Sequence, residues 1–436
     1  MNQTKIGNYR WTICSLVFFA TTINYLDRQV VSLLKPTLEA EFHWDENDYA
    51  NIVIAFQLAY SIGMLFAGRF IDKVGTKMGY ALSLILWCVA SIMHGFAVGT
   101  LSFIAVRMLL GLSESGNFPA AIKTVAEWFP RKERALATGI FNSGTNLGAI
   151  VAPLVVPWMA ITLGWQMTFI ITGSVGFIWL FFWFTMYETP AKHKKISKAE
   201  FDYIHSDDTE KEISTDVSNT PKLSWGTLLG FKQTWAFVLG KFLTDGIWWF
   251  FLFWLPAFLL AEYGLKGTSV SFPVAVVYTM TCFGSIFGGW LPMWFVKNKG
   301  WSIVRARKTS MLIYAFFPLV VIFSQYAGTF NMWYAVILIG IAASAHQAWS
   351  ANIFTTVSDM FPKTSVGSVI GIGGMAGGLG GIVISKSAGL LFKHYQALGE
   401  IQTGYYIMFI ICGLAYLIAW FVMFKLLIPK MKPIEV

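Results

Sequence analysis

Four ionisable side chains, Asp27, Arg28, Arg107 and Glu114, fall inside long apolar runs of this chain. A charge at the centre of a hydrocarbon layer costs roughly 2.5–3.5 kcal/mol on insertion scales. Residues retained against that cost line substrate or proton pathways, or pair with one another. Arg107 and Glu114 are seven residues apart, so on a helix they share a face but sit about 10.5 Å apart along the axis. A tight direct pair on a straight helix is excluded, and Asp27, water or a bound anion must stand between them. Asp27 and Arg28 are neighbours and point about 100° apart, so one can face the second charged run while the other faces a cavity. The chemistry this allows is anion capture linked to proton movement. Arg28 is expected to hold a substrate carboxylate, because a planar guanidinium matches it bidentately. Arg107 is expected to pair with an acid in the resting state. Asp27 and Glu114 are the expected proton sites. A purely structural network of ion pairs is the alternative.

Other polar and aromatic groups lie within the apolar runs. Tyr25, Gln57, Tyr60, Asn142 and Asn146 come from the first half of the chain, and Trp248, Trp249, His346, Gln347, Trp349, Ser350 and Asn352 from the second. Amides suit hydroxyl-bearing ligands because they donate and accept, and aromatic faces suit the apolar face of a ring. Lipid or packing contact is the plain alternative for each Trp. His346 reads equally as a satisfied core histidine or as a ligand or proton site. Lys241 and Asp245 are four apart, a ready helical pair, and are expected to form a structural bridge. Lys386 and Lys123 are expected to snorkel, Lys123 to the inner surface.

These groups need apolar elements to position them. Of 436 residues, 56% are hydrophobic and 13% charged, whereas a soluble domain carries about 25% charged residues. Runs of about 20 apolar residues match a hydrocarbon layer. The runs predict spans over 11–35, 49–71, 78–97, 101–125, 135–160 and 166–187, then 233–261, 270–296, 308–326, 330–358, 366–392 and 403–428. This divides the chain into residues 1–187, a polar linker 188–231 with a short surface helix near 197–206, and residues 232–436. The linker holds Lys192, Lys194, Lys195 and Lys198, then Asp207, Asp208, Glu210 and Glu212. The first run continues past Asp27 to Leu34 with no small-residue cleavage site, so it is expected to stay as an anchor. Cys14, Cys88, Cys282 and Cys412 lie in apolar runs without metal-type spacing.

The net charge of +9 resides in short loops. Lys73, Lys77, Arg131, Lys132, Arg134, Lys297, Lys299, Arg305, Arg307, Lys308, Lys363, Lys430 and Lys432 all fall on alternate loops or the C-terminus, whereas the first loop is acidic, with Glu39, Glu41, Asp45, Glu46 and Asp48. Such an excess marks the cytoplasmic side, which places both termini and the linker inside and reads the charge as topology rather than nucleic-acid binding. An internal repeat supports two halves. With an offset of 232, Thr124, Val125, Phe129, Pro130, Gly139, Leu147, Gly148 and Ile150 fall on Thr356, Val357, Phe361, Pro362, Gly371, Leu379, Gly380 and Ile382. Glu127 and Asp359 match in sign, as do Arg131 and Lys363, and His346 falls on Glu114.

Between the second and third spans the chain reads G-R-F-I-D-K-V-G-T-K, Gly68 to Lys77. This resembles the signature loop of the major facilitator superfamily. Gly68 and Gly75 would permit close approach and a tight turn. Asp72 would face a helix N-terminus or an Arg, and Lys77 closes the motif; the four are expected to gate the inner side. The loop after the eighth span, from Gly288, is a degraded copy. N-Y-L-D-R-Q (Asn24–Gln29), R-M-L-L-G-L-S-E-S-G-N-F-P (Arg107–Pro119), E-W-F-P-R-K-E-R (Glu127–Arg134) and A-H-Q-A-W-S-A-N (Ala345–Asn352) are similar to the anion:cation symporter branch, and the last stretch with the Trp-rich seventh span resembles its hexuronate members. The resemblance implies an all-α membrane protein with twelve helices in two pseudo-symmetric six-helix bundles. It implies proton-coupled uptake of a sugar-acid anion, with an aldonate as the second choice, and proton roles at Asp27 and Glu114 and anion roles at the arginines. A monomeric bacterial inner-membrane protein with no cofactor is the corresponding expectation. Neither a ligand-spaced His pair nor a phosphate-cradling Gly loop is present, which argues against an embedded enzyme or an ATP-driven pump. A channel would not need the signature loop or the repeat.

Overall fold

The computed structural model describes residues 6–44, 46–206, 223–265 and 267–434, and every regular element among them is helical. Asp45, Asp207, Asp208, Glu210 and Glu212 lie outside the described residues. The first half contains α1 (Tyr9–Leu33), α2 (Lys35–Phe42), α3 (Glu46–Val74), α4 (Thr76–His94), α5 (Thr100–Glu114), α6 (Asn117–Trp128), α7 (Arg131–Leu163) and α8 (Trp165–Met186). Two short helices follow, α9 (Lys198–Ile204) and α10 (Trp225–Leu229). The second half contains α11 (Lys232–Tyr263), α12 (Ser271–Lys299), α13 (Ile303–Phe316), a tighter turn through Phe323, and α14 (Ser324–Gly328). It ends with α15 (Met332–Met360), α16 (Val366–Ala397) and α17 (Ile401–Phe421).

The same packing recurs in both halves. In the first, α1 lies on α7, α3 on α5 and α4 on α8; in the second, α11 lies on α16, α12 on α15, and the α13 segment on α17. Across the halves α7 packs on α12 and α3 on α16. The repeated Phe-Pro pairs have a structural consequence. A residue before proline is driven out of the helical region, and Phe129 (φ −127°, ψ 136°) and Phe361 (φ −109°, ψ 148°) end α6 and α15 in extended geometry. Bulky apolar groups such as Phe19, Leu154, Trp158 and Ile161 face outward, while Arg107, Glu114 and Asn142 are buried inside. That inversion suits lipid as the outer solvent.

Among the described residues, nine helices are long and apolar enough to cross a membrane, or ten if the bent pair Lys232–Leu252 and Trp254–Tyr263 counts as one span. The bend of 50° has a cause in Pro256, which lacks the N–H for Leu252. The two remaining expected spans are α1 and α5 with α6, and these carry the four membrane charges, which lower their hydropathy. The fourth expected span is broken. Ser115 and Gly116 separate α5 from α6, and Pro119 cannot donate to the Ser115 carbonyl. The counterpart α15 runs unbroken, so the repeat is imperfect at this point.

Both ends of the described chain lie on the linker side. The Tyr9 hydroxyl donates to the Met186 carbonyl at 2.9 Å, and Ile434 N–H donates to the Met360 carbonyl at 2.8 Å. The expected linker helix is α9, capped by Ser197, whose Oγ accepts from Glu200 N–H. Arg10 joins it to the bundle through Glu133 (2.8 Å) and Glu200 (3.4 Å).

Candidate functional site

One stripe of α1, from Ile13 through Val17, Ala20, Asn24 and Asp27 to Val31, is buried. Tyr25 and Arg28, on the flank of that stripe, reach a central cavity of about 360 Å³. The Arg28 guanidinium is boxed by three rings, 4.5 Å from the Tyr25 centroid, 4.6 Å from Tyr60 and 5.1 Å from Phe56. Its Nε and Nη2 donate to Glu114 Oε2 at 3.0 and 2.9 Å. Glu114 ends α5 at the helix break and is fully buried, and its Oε1 has no hydrogen-bond partner.

The resting pair therefore differs from the expected one. Arg28, not Arg107, holds the acid. Arg107 Nη2 donates to the Arg28 carbonyl at 3.3 Å, its Nε has no partner, and its guanidinium sits 5.3 Å from the Phe56 ring. No ion pair forms at Arg107 among the described residues. The reason is the spacing: Glu114 lies two turns along the helix, and α1 delivers Arg28 to it first. Asp27 is buried, and neither carboxylate oxygen has a hydrogen-bond partner.

Ten expected residues line the cavity: Tyr25, Arg28, Gln57, Tyr60, Asn142, Trp248, Trp249, His346, Gln347 and Ser350. Asn142 Nδ2 donates to Gln347 Oε1 at 2.7 Å and so ties the two halves together at the wall. His346 stacks on Trp248 with centroids 5.1 Å apart, and its Nδ1 meets the Tyr416 hydroxyl at 2.7 Å. His346 is thus both hydrogen-bonded and on the wall. Four expected residues are not on the wall: Arg107, Asn146, Trp349 and Asn352. On α15, His346, Gln347, Ser350 and Phe354 share the cavity face, while Trp349 and Asn352 turn away. Trp349 packs on Tyr416, and Asn352 donates to the Gly288 and Ala348 carbonyls and accepts from Arg307. Asn146 stands behind Gln347 at 3.5 Å. The wall also holds Lys241 and Asp245, read from sequence as a bridge; they do pair, at 2.6 Å, but face the cavity. Their signal was a charge pair on the same face as Trp248 and Trp249.

On the linker side the halves are latched. Asp72 accepts from Gly367 N–H (3.2 Å), Ser368 N–H (2.6 Å) and Ser368 Oγ (2.7 Å) at the start of α16. Free N–H groups and the positive end of a helix suit a carboxylate. Lys123 does not snorkel. It is 3% exposed and pairs with Asp72 at 2.9 Å, because its own helix is buried all round. Gly68 lies against Gly367 and Gly371, where a Cβ would strike backbone. Gly75 has φ +90° and opens α4, a conformation that favours glycine. Lys77 does not reach the second half; it donates to Glu188 at the start of the linker at 2.8 Å, and that bond holds the Glu188 carboxyl below its usual range. A second latch was missed from sequence: Arg134 of the first half bonds the Ser358 carbonyl and stands 3.9 Å from Asp359, which Arg307 holds at 2.6 Å.

The profile of the Major Facilitator Superfamily matches residues 17–385. The hexuronate transporter of Escherichia coli (strain K12) is 33% identical over 388 residues, covering 89% of this chain and 88% of its own. The galacturonate transporter of Dickeya chrysanthemi is 33% identical over 304 residues, covering 70% of this chain and 87% of its own. The solved structure of the proton:xylose symporter XylE bound to 6-bromo-6-deoxy-D-glucose superposes with a TM-score of 0.76 at 15% identity, over 98% of this chain and 97% of that one.

Proposed function

The chain belongs to the major facilitator superfamily and is a multi-pass membrane transporter; from that premise we propose that it is a proton-coupled symporter importing a sugar-acid anion, a hexuronate first. It works by alternating access in the bacterial inner membrane, as a monomer, with both termini and the linker cytoplasmic. Residues 1–187 and 232–436 are the two moving bodies. The orientation rests on the basic loops, and the hexuronate reading is supported by the relatives named above.

The observation that carries this reading is the ion pair of Arg28, on the cavity wall, with the buried Glu114 behind it. A proton on Glu114 removes the charge that holds Arg28, and the guanidinium turns to the substrate carboxylate. The free Oε1 of Glu114 is where that proton resides. Asp27 is the second proton site, since a buried charge needs a partner and its oxygens have none. Arg107 backs the site through the Arg28 carbonyl and the Phe56 ring and binds the anion in a later state. Trp248, Trp249 and Tyr60 offer ring faces to a pyranose, with Asn142, Gln57, Gln347, Ser350 and His346 for its hydroxyls. Asn146, Trp349 and Asn352 support the wall from behind. Gly68, Asp72, Gly75 and Lys77 work the linker-side gate. An aldonate remains the second reading because three amides share the wall.

A thermal-shift panel on the purified protein tests this. Glucuronate and galacturonate should stabilise most, galactonate less and glucose not at all, through RT ln(1 + [L]/Kd). Stabilisation by glucose equal to that by the acids would contradict the anion reading.

A further inference from the structure

We infer that Lys241 and Asp245 form a hydroxyl-reading site, which takes the polyhydroxylated end of a sugar acid whose carboxylate lies at Arg28. This rests on the sugar-acid reading above and names a recognition site within the same cavity. Arg28, Lys241 and Asp245 are the charged Lys, Arg, Asp or Glu side chains on the cavity wall among the described residues. Arg28 comes from the first half and the pair from the second.

Position separates this pair from a plain structural bridge. Lys241, Asp245, Trp248 and Trp249 stand at i, i+4, i+7 and i+8 on α11, which is one helix face, and all four line the cavity. The neighbouring α16 is shaped to them. A Cβ on Gly377 would strike the Asp245 carboxylate, and one on Gly381 would strike the Trp249 indole. The two glycines are four apart, as are the two side chains they admit. Close helix packing alone would not require the glycines to face these particular groups. Replacing a buried ion pair by apolar residues is often neutral or stabilising, so stability alone does not account for its retention.

The chemistry favours hydroxyls over a second carboxylate. Lys241 Nζ lies 2.6 Å from Asp245 and 4.2 Å from the Phe354 ring centroid. The pair is locally neutral, so an approaching anion meets the Asp245 charge as well as the ammonium. A hydroxyl can accept from the ammonium and donate to the carboxylate, and both bonds are charge-assisted. The indoles one turn further on supply a ring face for the same sugar.

The test compares glucuronate with cyclohexanecarboxylate, a ring acid of similar size without hydroxyls, by binding to full-length detergent-purified protein. The wild type should prefer glucuronate by at least roughly 100-fold, since a site built to bond hydroxyls rejects the analogue lacking them. In Lys241→Met/Asp245→Leu that preference should fall below about tenfold, with cyclohexanecarboxylate bound as before. The charge-swapped Lys241→Asp/Asp245→Lys keeps an ion pair at the same spacing but exchanges donor and acceptor across one helical turn, out of register with the sugar hydroxyls, and should lose the preference too. The inference is overturned if the Met/Leu protein keeps the wild-type preference, or if the swapped pair restores it. If the Met/Leu protein does not fold, the swapped protein alone decides. A wild type that binds neither acid overturns the sugar-acid reading itself, and this inference with it.

Discussion

Arg28 gives both its Nε and its Nη2 to a single oxygen of Glu114, and a guanidinium so occupied cannot grip a second carboxylate with the same edge. That exclusivity links proton to anion in the proposed cycle. Removing the guanidinium deletes the anchor and strands Glu114 in a buried site. Truncating one member of a buried charge pair costs about 2–5 kcal/mol, so Arg28→Ala should weaken glucuronate binding at least about thirtyfold, read by titration calorimetry. Arg28→Lys should recover little, since an ammonium cannot reproduce the planar fork; wild-type affinity in Arg28→Lys would argue against bidentate capture. At this scale the sequence was informative about identity and silent about partners. Asp27, Arg28, Arg107 and Glu114 are legible because charges in apolar runs demand a reason. The Arg28–Glu114 pairing is not, because it depends on where α1 crosses α5 and on the break at Ser115 and Gly116. Trp349 and Asn352 were misassigned for a related reason: one residue before Ser350 and two after it, the helix has rotated away from the cavity face.

In the proposed cycle α3 and α16 are the elements that control access. Their closeness requires Gly68 against Gly367 and Gly371, and Asp72 then caps the α16 N-terminus while holding Lys123. Asp72→Asn removes the charge from those bonds and leaves Lys123 buried without its partner, a loss of order 3–5 kcal/mol for the latched state. Gly68→Val would drive a side chain into the Gly367 carbonyl. Both variants should shift the protein towards a state open on the linker side. Spin labels on the linker-side ends of α3 and α16 should report a longer distance in each variant, and an unchanged distribution in both would remove the latch from the account. The motif around Asp72 was legible because glycines and an acid at fixed spacing have few structural uses. Lys123 was misread because a long cationic side chain near a predicted end normally snorkels, whereas α6 is buried on all sides. The Arg134–Asp359–Arg307 contact was hidden because its members come from three helices, α7, α13 and α15, far apart in sequence.

At the scale of the molecule, two similar bundles carry unequal chemistry. The first holds Asp27, Arg28, Arg107 and Glu114; the second holds the Trp pair, His346 and the Lys241–Asp245 pair. The architecture was readable from the apolar runs and from the offset of 232, since Phe129–Pro130 and Phe361–Pro362 end corresponding helices. The broken fourth span was not, because Pro119 was read as a motif letter and not as a missing donor. The two proposed proton sites and one substrate carboxylate would move one net positive charge inward per cycle, a gain of about 2.3 kcal/mol at 100 mV. Glucuronate added to protein on a solid-supported membrane should then evoke an inward positive current, and a null current would set the stoichiometry at one proton per anion. The coupling itself is tested most directly in proteoliposomes carrying Glu114→Gln, by following glucuronate under an inward proton gradient and, separately, in counterflow. The account predicts that accumulation is lost while counterflow persists, because the amide mimics the protonated acid and leaves Arg28 available. Full proton-driven accumulation by Glu114→Gln would contradict it.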